Sequence, residues 1–283
     1  MDQTRSTGDS PTIRKRALAR KLTEHRQRRG ITTTDVQRRL GWSATKLNWI
    51  EKARWTESVT DSVTDLCELY GVDGPERDAL ITLARQSRER GWWTRYNDVF
   101  GREELPGWET GASQIWTFEA AFVPGLLQVP DYIELITHAA GITDPAEISR
   151  HVEARTRRQA ILTRQDDPCQ LHAIIDENAL ARITDLAILR SQAARITEAA
   201  TRPNITVQIL PFSAGVYPAT SEAFLHLAFP EGERDIVYIE TTIDNRMLEE
   251  YDEIERYRLK FAILQAAALT PEQTRAFLDQ QAR

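Results

Sequence analysis

The chain is poor in the residues that mark most recognisable chemistries. Two cysteines in 283 residues, Cys67 and Cys169, give neither a disulfide framework nor metal-ligand spacing. The 13 glycines are scattered, so no phosphate-cradling glycine loop is formed. No apolar run is long enough to span a membrane, and the first twenty residues are charged and polar, unlike a signal peptide. A cytoplasmic location without membrane contact is the expectation. Pro211 to Gly215 (PFSAG) lacks the first glycine of a nucleophile elbow. Cys169, His172 and His226 could converge, yet their spacing fits no metal pattern, so no metal is expected. Asp176, Glu177 and Glu240 fall at predicted strand ends, where carboxylates cap turns more often than they catalyse. No catalytic residue and no cofactor is assigned, and an enzyme is not expected.

What is present is an asymmetry of charge. Residues 1–55 hold 14 Lys and Arg against 5 Asp and Glu, whereas the rest of the chain holds 22 against 37. A basic head on an acidic body points to a polyanion-binding head. The same head contains Ile31 to Arg54, ITTTDVQRRLGWSATKLNWIEKAR. Val36 and Leu40 are four apart and Leu47 and Ile50 three apart, giving each half one apolar helical face. Gly41 stands where a helix ends on a positive φ, and Ser43 where the next helix is capped. Helix, short glycine turn, helix is the arrangement of a helix-turn-helix.

Around this pair, a first helix runs from Pro11 to about Arg29, with Ile13, Ala17, Leu18 and Leu22 inward and Arg14, Lys15 and Arg16 among its outward cations. Val63, Leu66, Cys67 and Tyr70 make the apolar face of a fourth helix, and Leu80, Leu83 and Ala84 that of a fifth, about Pro75 to Arg90. The predicted organisation is a disordered tail over 1–9, a five-helix all-α head over 10–90, an aromatic-rich junction over 91–130 and an α+β domain over 131–283. The junction holds Trp92, Trp93, Tyr96, Phe100, Trp108, Trp116, Phe118 and Phe122, which read as a core docking head onto body. In the last part, strands over 171–175, 205–210, 224–229 and 236–239 lie among helices over 132–140, 145–163, 186–200, 251–267 and 271–281, suggesting a small, mostly antiparallel sheet.

With a recognition helix in the major groove, Leu47 and Ile50 must face inward, which leaves Ala44, Thr45, Asn48 and Trp49 toward bases. Asn48 pairs with adenine edges, and Ala44 and Thr45 meet a thymine methyl. Arg14, Lys15, Arg16, Lys46, Lys52 and Arg54 fall to phosphates. Symmetric operators call for a homodimer on double-stranded DNA.

The order I31-T32-x-x-x-V36-x-x-x-L40-G41-W42-S43-x-x-K46-L47-x-x-I50-E51 resembles the XRE family of helix-turn-helix regulators. GWWTRY (91–96), FVPGLLQVPDY (122–132), RQAILTR (158–164) and RPNITVQILPFSAGVYPA (202–219) are similar to an actinobacterial subgroup with a C-terminal domain of unknown function. The resemblance implies a transcriptional regulator and adds Thr33 to the phosphate contacts, because Thr33 and Ala44 stand where the family commonly has glutamines. Ala53 stands where it commonly has glycine. The subgroup also implies a small protein partner, so an antitoxin-like interaction module is an alternative, and an enzyme with a vestigial head is another.

Overall fold

The computed structural model describes residues 10–101, 105–217, 222–230, 232–241 and 245–282. The chain packs as two units, one ending at Arg95 and the other starting at Tyr96. The residues expected to form a separate junction are therefore, from Tyr96 on, part of the second unit.

The first unit is all helical: α1 (Pro11–Arg28), α2 (Thr33–Leu40), α3 (Ala44–Glu51), α4 (Thr60–Tyr70) and α5 (Gly74–Gln86). Leu18, Leu22, Val36, Leu47, Ile50, Trp55, Val63, Leu66, Tyr70 and Leu80 form one buried core. The apolar spacings were therefore sound guides to the inward faces. Burial of a side chain such as Leu47 or Ile50 is worth about 1.5–3 kcal/mol, enough to fix the rotation of a short helix about its axis. Gly41 ends α2 at φ 68°, and Ser43 caps α3 by accepting from Lys46 N–H at 3.1 Å. Thr32 and Asp35 close a capping box on α2, satisfying two backbone donors reciprocally.

The second unit begins with α6 (Asn97–Phe100), α7 (Leu105–Gly111) and β1 (Gln114–Glu119). It continues through α8 (Pro130–Ala139), α9 (Pro145–Arg158), β2 (Gln170–Asp176), α10 (Glu177–Ala181), α11 (Leu186–Ala199) and β3 (Ile205–Leu210). Then come β4 (Phe224–Ala228), β5 (Ile236–Ile239), β6 (Arg246–Leu248), α12 (Tyr251–Ala267) and α13 (Pro271–Gln281). The strands make one mixed six-stranded sheet in the order β3-β2-β1-β4-β5-β6. β1, β2 and β3 run parallel, joined by helical crossovers, while β4, β5 and β6 add antiparallel on the other side. Together the units make a multidomain α+β protein.

β1 is central and was not anticipated, because its sequence, QIWTFE, lies inside the stretch read as an aromatic junction. Its aromatics are sheet residues: Phe118 packs with Phe224, and Trp116 stacks on His226 at 4.6 Å. The other aromatics are dispersed too. Trp92 meets Trp93, Tyr96 meets Phe100, Trp108 meets Phe229, and Phe122 is exposed. α12 covers one sheet face, where Tyr257, Phe261 and Leu264 pack with Phe118, Ile174, Phe224 and Val237.

Candidate nucleic-acid interface

The helix pair α2–α3 is held to α1 by one bidentate ion pair. Arg26 Nε lies 2.6 Å from Glu51 Oε1 and Nη2 3.0 Å from Oε2, and Arg26 Nη1 donates to the Ile31 carbonyl at 3.1 Å. Both side chains are largely shielded from water, and the hydrogen bonds that Arg26 donates to Glu51 raise the Arg26 pKa above its ordinary value. One guanidinium thus ties α1, the turn before α2 and the last residue of α3. Glu51 belongs to the pattern that carries the family resemblance, but its pairing with Arg26, 25 positions away, was not legible in the sequence.

On α3, Leu47 and Ile50 are buried, while Ala44, Thr45, Lys46 and Asn48 are exposed. Three of the four residues expected at base edges thus share an open face at the helix start. Trp49, the fourth, is half-buried and packs against the head core, since it neighbours the inward Ile50. The end of α3 is a Schellman turn: Arg54 N–H donates to Trp49 O at 2.9 Å and Ala53 N–H to Ile50 O at 3.1 Å. This turn puts Ala53 at φ 55°, a left-handed conformation that explains why glycine suits the position.

The phosphate candidates divide. Thr33 is exposed in the first turn of α2, and Lys52 and Arg54 are exposed just past α3. Lys46 is exposed with its ammonium 3.9 Å over the Trp42 ring. Arg14 and Lys15, by contrast, are committed inside the unit. Arg14 is buried, with Nη1 3.1 Å from Glu89 Oε2, and Lys15 Nζ donates to the Trp55 carbonyl at 2.9 Å. Arg16 is half-buried. The reason for Arg14 is periodicity: it sits four and eight residues before Leu18 and Leu22, on the same buried stripe. That signal was available in the sequence.

In the second unit the ligand-type side chains do not converge. His172 Nε2 pairs with Gln208 Oε1 at 2.8 Å, and His226 Nε2 with Asp235 Oδ2 at 2.8 Å. Trp116 stands between the two histidines in register. Cys169 is fully buried, and burial pushes its thiol up to about 12. Among the described residues no three His, Cys, Asp or Glu side chains form a metal-sized group. Asp176 caps α10 by accepting from Asn178 N–H at 2.7 Å, and Glu177 accepts from Phe212 N–H at 2.7 Å. Among the described residues no helix is long and apolar enough to cross a membrane.

Two family descriptions match. Residues 17–80 match a helix-turn-helix domain, which runs from within α1 to within α5 and identifies the head as a DNA-binding type. Residues 103–280, well over half of the chain, match a domain of unknown function (DUF5753). The chain belongs to the DUF5753 family. No curated protein and no solved structure matches it.

The DUF5753 unit buries a charged cluster of its own. Arg158 on α9 lies 2.6 Å from the fully buried Glu109 of α7, and its guanidinium packs on the Gly125 backbone, where a Cβ would sit 2.9 Å from Nη2. Burial raises the Glu109 pKa against the pull of Arg158. Glu119, half-buried at the end of β1, is pushed up to about 8 by desolvation first and by the charge of Glu240 second. Arg158 thus pairs with Glu109 and feels the charges of Glu119 and of the exposed Glu240. Spacing does not reveal the pairing of Arg158 with Glu109, because the two residues lie 49 positions apart on α9 and α7.

Proposed function

We propose that this member of the DUF5753 family is a sequence-specific transcriptional regulator of the XRE type, working in the cytosol without catalytic chemistry. Its α3 enters the major groove, with Asn48, Thr45 and Ala44 at base edges and Trp49 a packing residue at the rim. Lys46, Lys52, Arg54 and Thr33 fall to the phosphates. A homodimer places two such helices on a symmetric operator. The DUF5753 unit binds a partner or signal; a small protein is the partner the resemblance suggests. The observation that carries the reading is the open start of α3: Ala44, Thr45 and Asn48 exposed on a helix whose Leu47 and Ile50 are buried. These exposed small and amide side chains bury no core area, whereas they match the donor and methyl pattern of A·T pairs.

The test is Asn48→Ala, measured on the selected operator and on random DNA. The substitution should cost about 1–3 kcal/mol on the operator and little on random sequence. An equal loss on both would make Asn48 a backbone contact.

A further inference from the structure

In the DUF5753 unit, a notch of about 440 Å³ opens between the end of α12, the edge strand β3 with its neighbour β2, and the start of α13. It is lined by the small residues Ala262 and Ala266 of α12 together with His172, Thr206, Gln265 and Thr270. The volume lies in the range of small-molecule sites. Among the described residues none of the lining side chains is an acid, a lysine or an arginine. His172 is uncharged as well, since burial lowers its pKa below the ordinary histidine value.

The hydrogen-bond pattern fixes which face His172 offers. Gln208 Nε2 donates to the Leu269 carbonyl at 2.8 Å, and a carbonyl can only accept. Gln208 Oε1 is therefore the atom facing His172 Nε2 at 2.8 Å, so Nε2 carries the proton. Nδ1 is then left as a bare acceptor, and no hydrogen bond to it is made among the described residues. Phe261 holds the ring edge-on at 4.9 Å, and Thr206 lies beside His172 in the β2–β3 register. The notch thus combines one pre-oriented acceptor, hydroxyls, an amide and two alanine methyls, with no charge to favour an ion.

We propose that this notch binds a small uncharged molecule with an N–H or O–H donor beside an apolar face, the chemistry of cyclic amides and related neutral heterocycles. The donor goes to His172 Nδ1, the apolar face lies on Ala262 and Ala266, and a carbonyl meets the Gln265 amide or the Thr206 hydroxyl. Binding is read on this unit alone and does not rest on the DNA reading.

The test uses the full chain with ¹⁵N-labelled histidine and 2-pyrrolidone as the probe, with His172→Gln assigning the resonance. The His172 Nδ1 signal should shift saturably, with a Kd of about 1–10 mM for so small a fragment. N-methyl-2-pyrrolidone, which has no donor, should bind about 3- to 10-fold more weakly, since the hydrogen bond to Nδ1 is lost. Ala262→Phe, at an exposed helix position, should abolish the shift by filling the notch. Thr206→Val, which keeps the volume, should weaken binding without changing the melting temperature by more than about 2 °C. Equal affinity for the two lactams, undiminished binding in Ala262→Phe, or a shift that never saturates would each overturn the proposal.

Discussion

Ala53 holds a left-handed backbone, φ 55°, two residues past the end of α3. An L-residue there pays about 1–2 kcal/mol of steric cost, against which glycine loses about 0.5–1 kcal/mol through its freer unfolded state. Ala53→Gly should therefore raise the head's stability by about 0.5–1 kcal/mol in urea melts, and Ala53→Val should lower it. Arg26 and Glu51 behave differently. Each is nearly enclosed, with side-chain exposures of 12% and 14%, so removing one leaves the other's charge stranded. Arg26→Met should destabilise the head by about 3–5 kcal/mol, while Arg26→Met combined with Glu51→Leu should recover most of that loss. If the double variant melts no higher than the single one, the pair is not a coupled unit.

Elements were legible wherever one face repeats in one dimension. The buried stripes of α1, α4 and α12 show directly as spacings of three and four, as do the glycine and serine that bound the turn before α3. β1 was hidden because its aromatic content invites a packing explanation, although aromatics on a pleated surface are ordinary strand residues. Arg14 was read as outward for a related reason: a charge was taken as outward by type, when Arg14 lies on the buried stripe and finds Glu89 there. This correction changes what a salt titration of DNA binding should show. Neutralising Lys52 or Arg54 should each reduce the slope of log affinity against log salt by about one, whereas Arg14→Ala should leave the slope alone and lower the melting temperature. A slope change in Arg14→Ala would restore that residue to the phosphate contacts.

At the scale of the whole molecule, the buried charges of the DUF5753 unit depended on long-range folding and could not be read from spacing. They do make stability depend on pH. Glu119 holds its proton up to about 8 when folded, against an ordinary value of 4.5. Between those values the unfolded chain has released a proton that the folded one keeps, so stability falls as pH rises through the window. Glu119→Gln should remove that fall. Its stabilising effect in urea should be larger at pH 8 than at pH 5, and an equal effect at both would mean that Glu119 ionises freely. The place of β1 in the sheet has a consequence for synthesis. Its parallel partner arrives 56 positions later, where Gln114 meets Gln170, and its antiparallel partner 106 positions later, where Phe118 meets Phe224. On the ribosome, the helical head can close while the sheet is still missing half of its strands. For that interval a growing chain carries a finished DNA-binding head beside an apolar strand with one edge bare, and the cell must shelter that edge until Phe224 emerges.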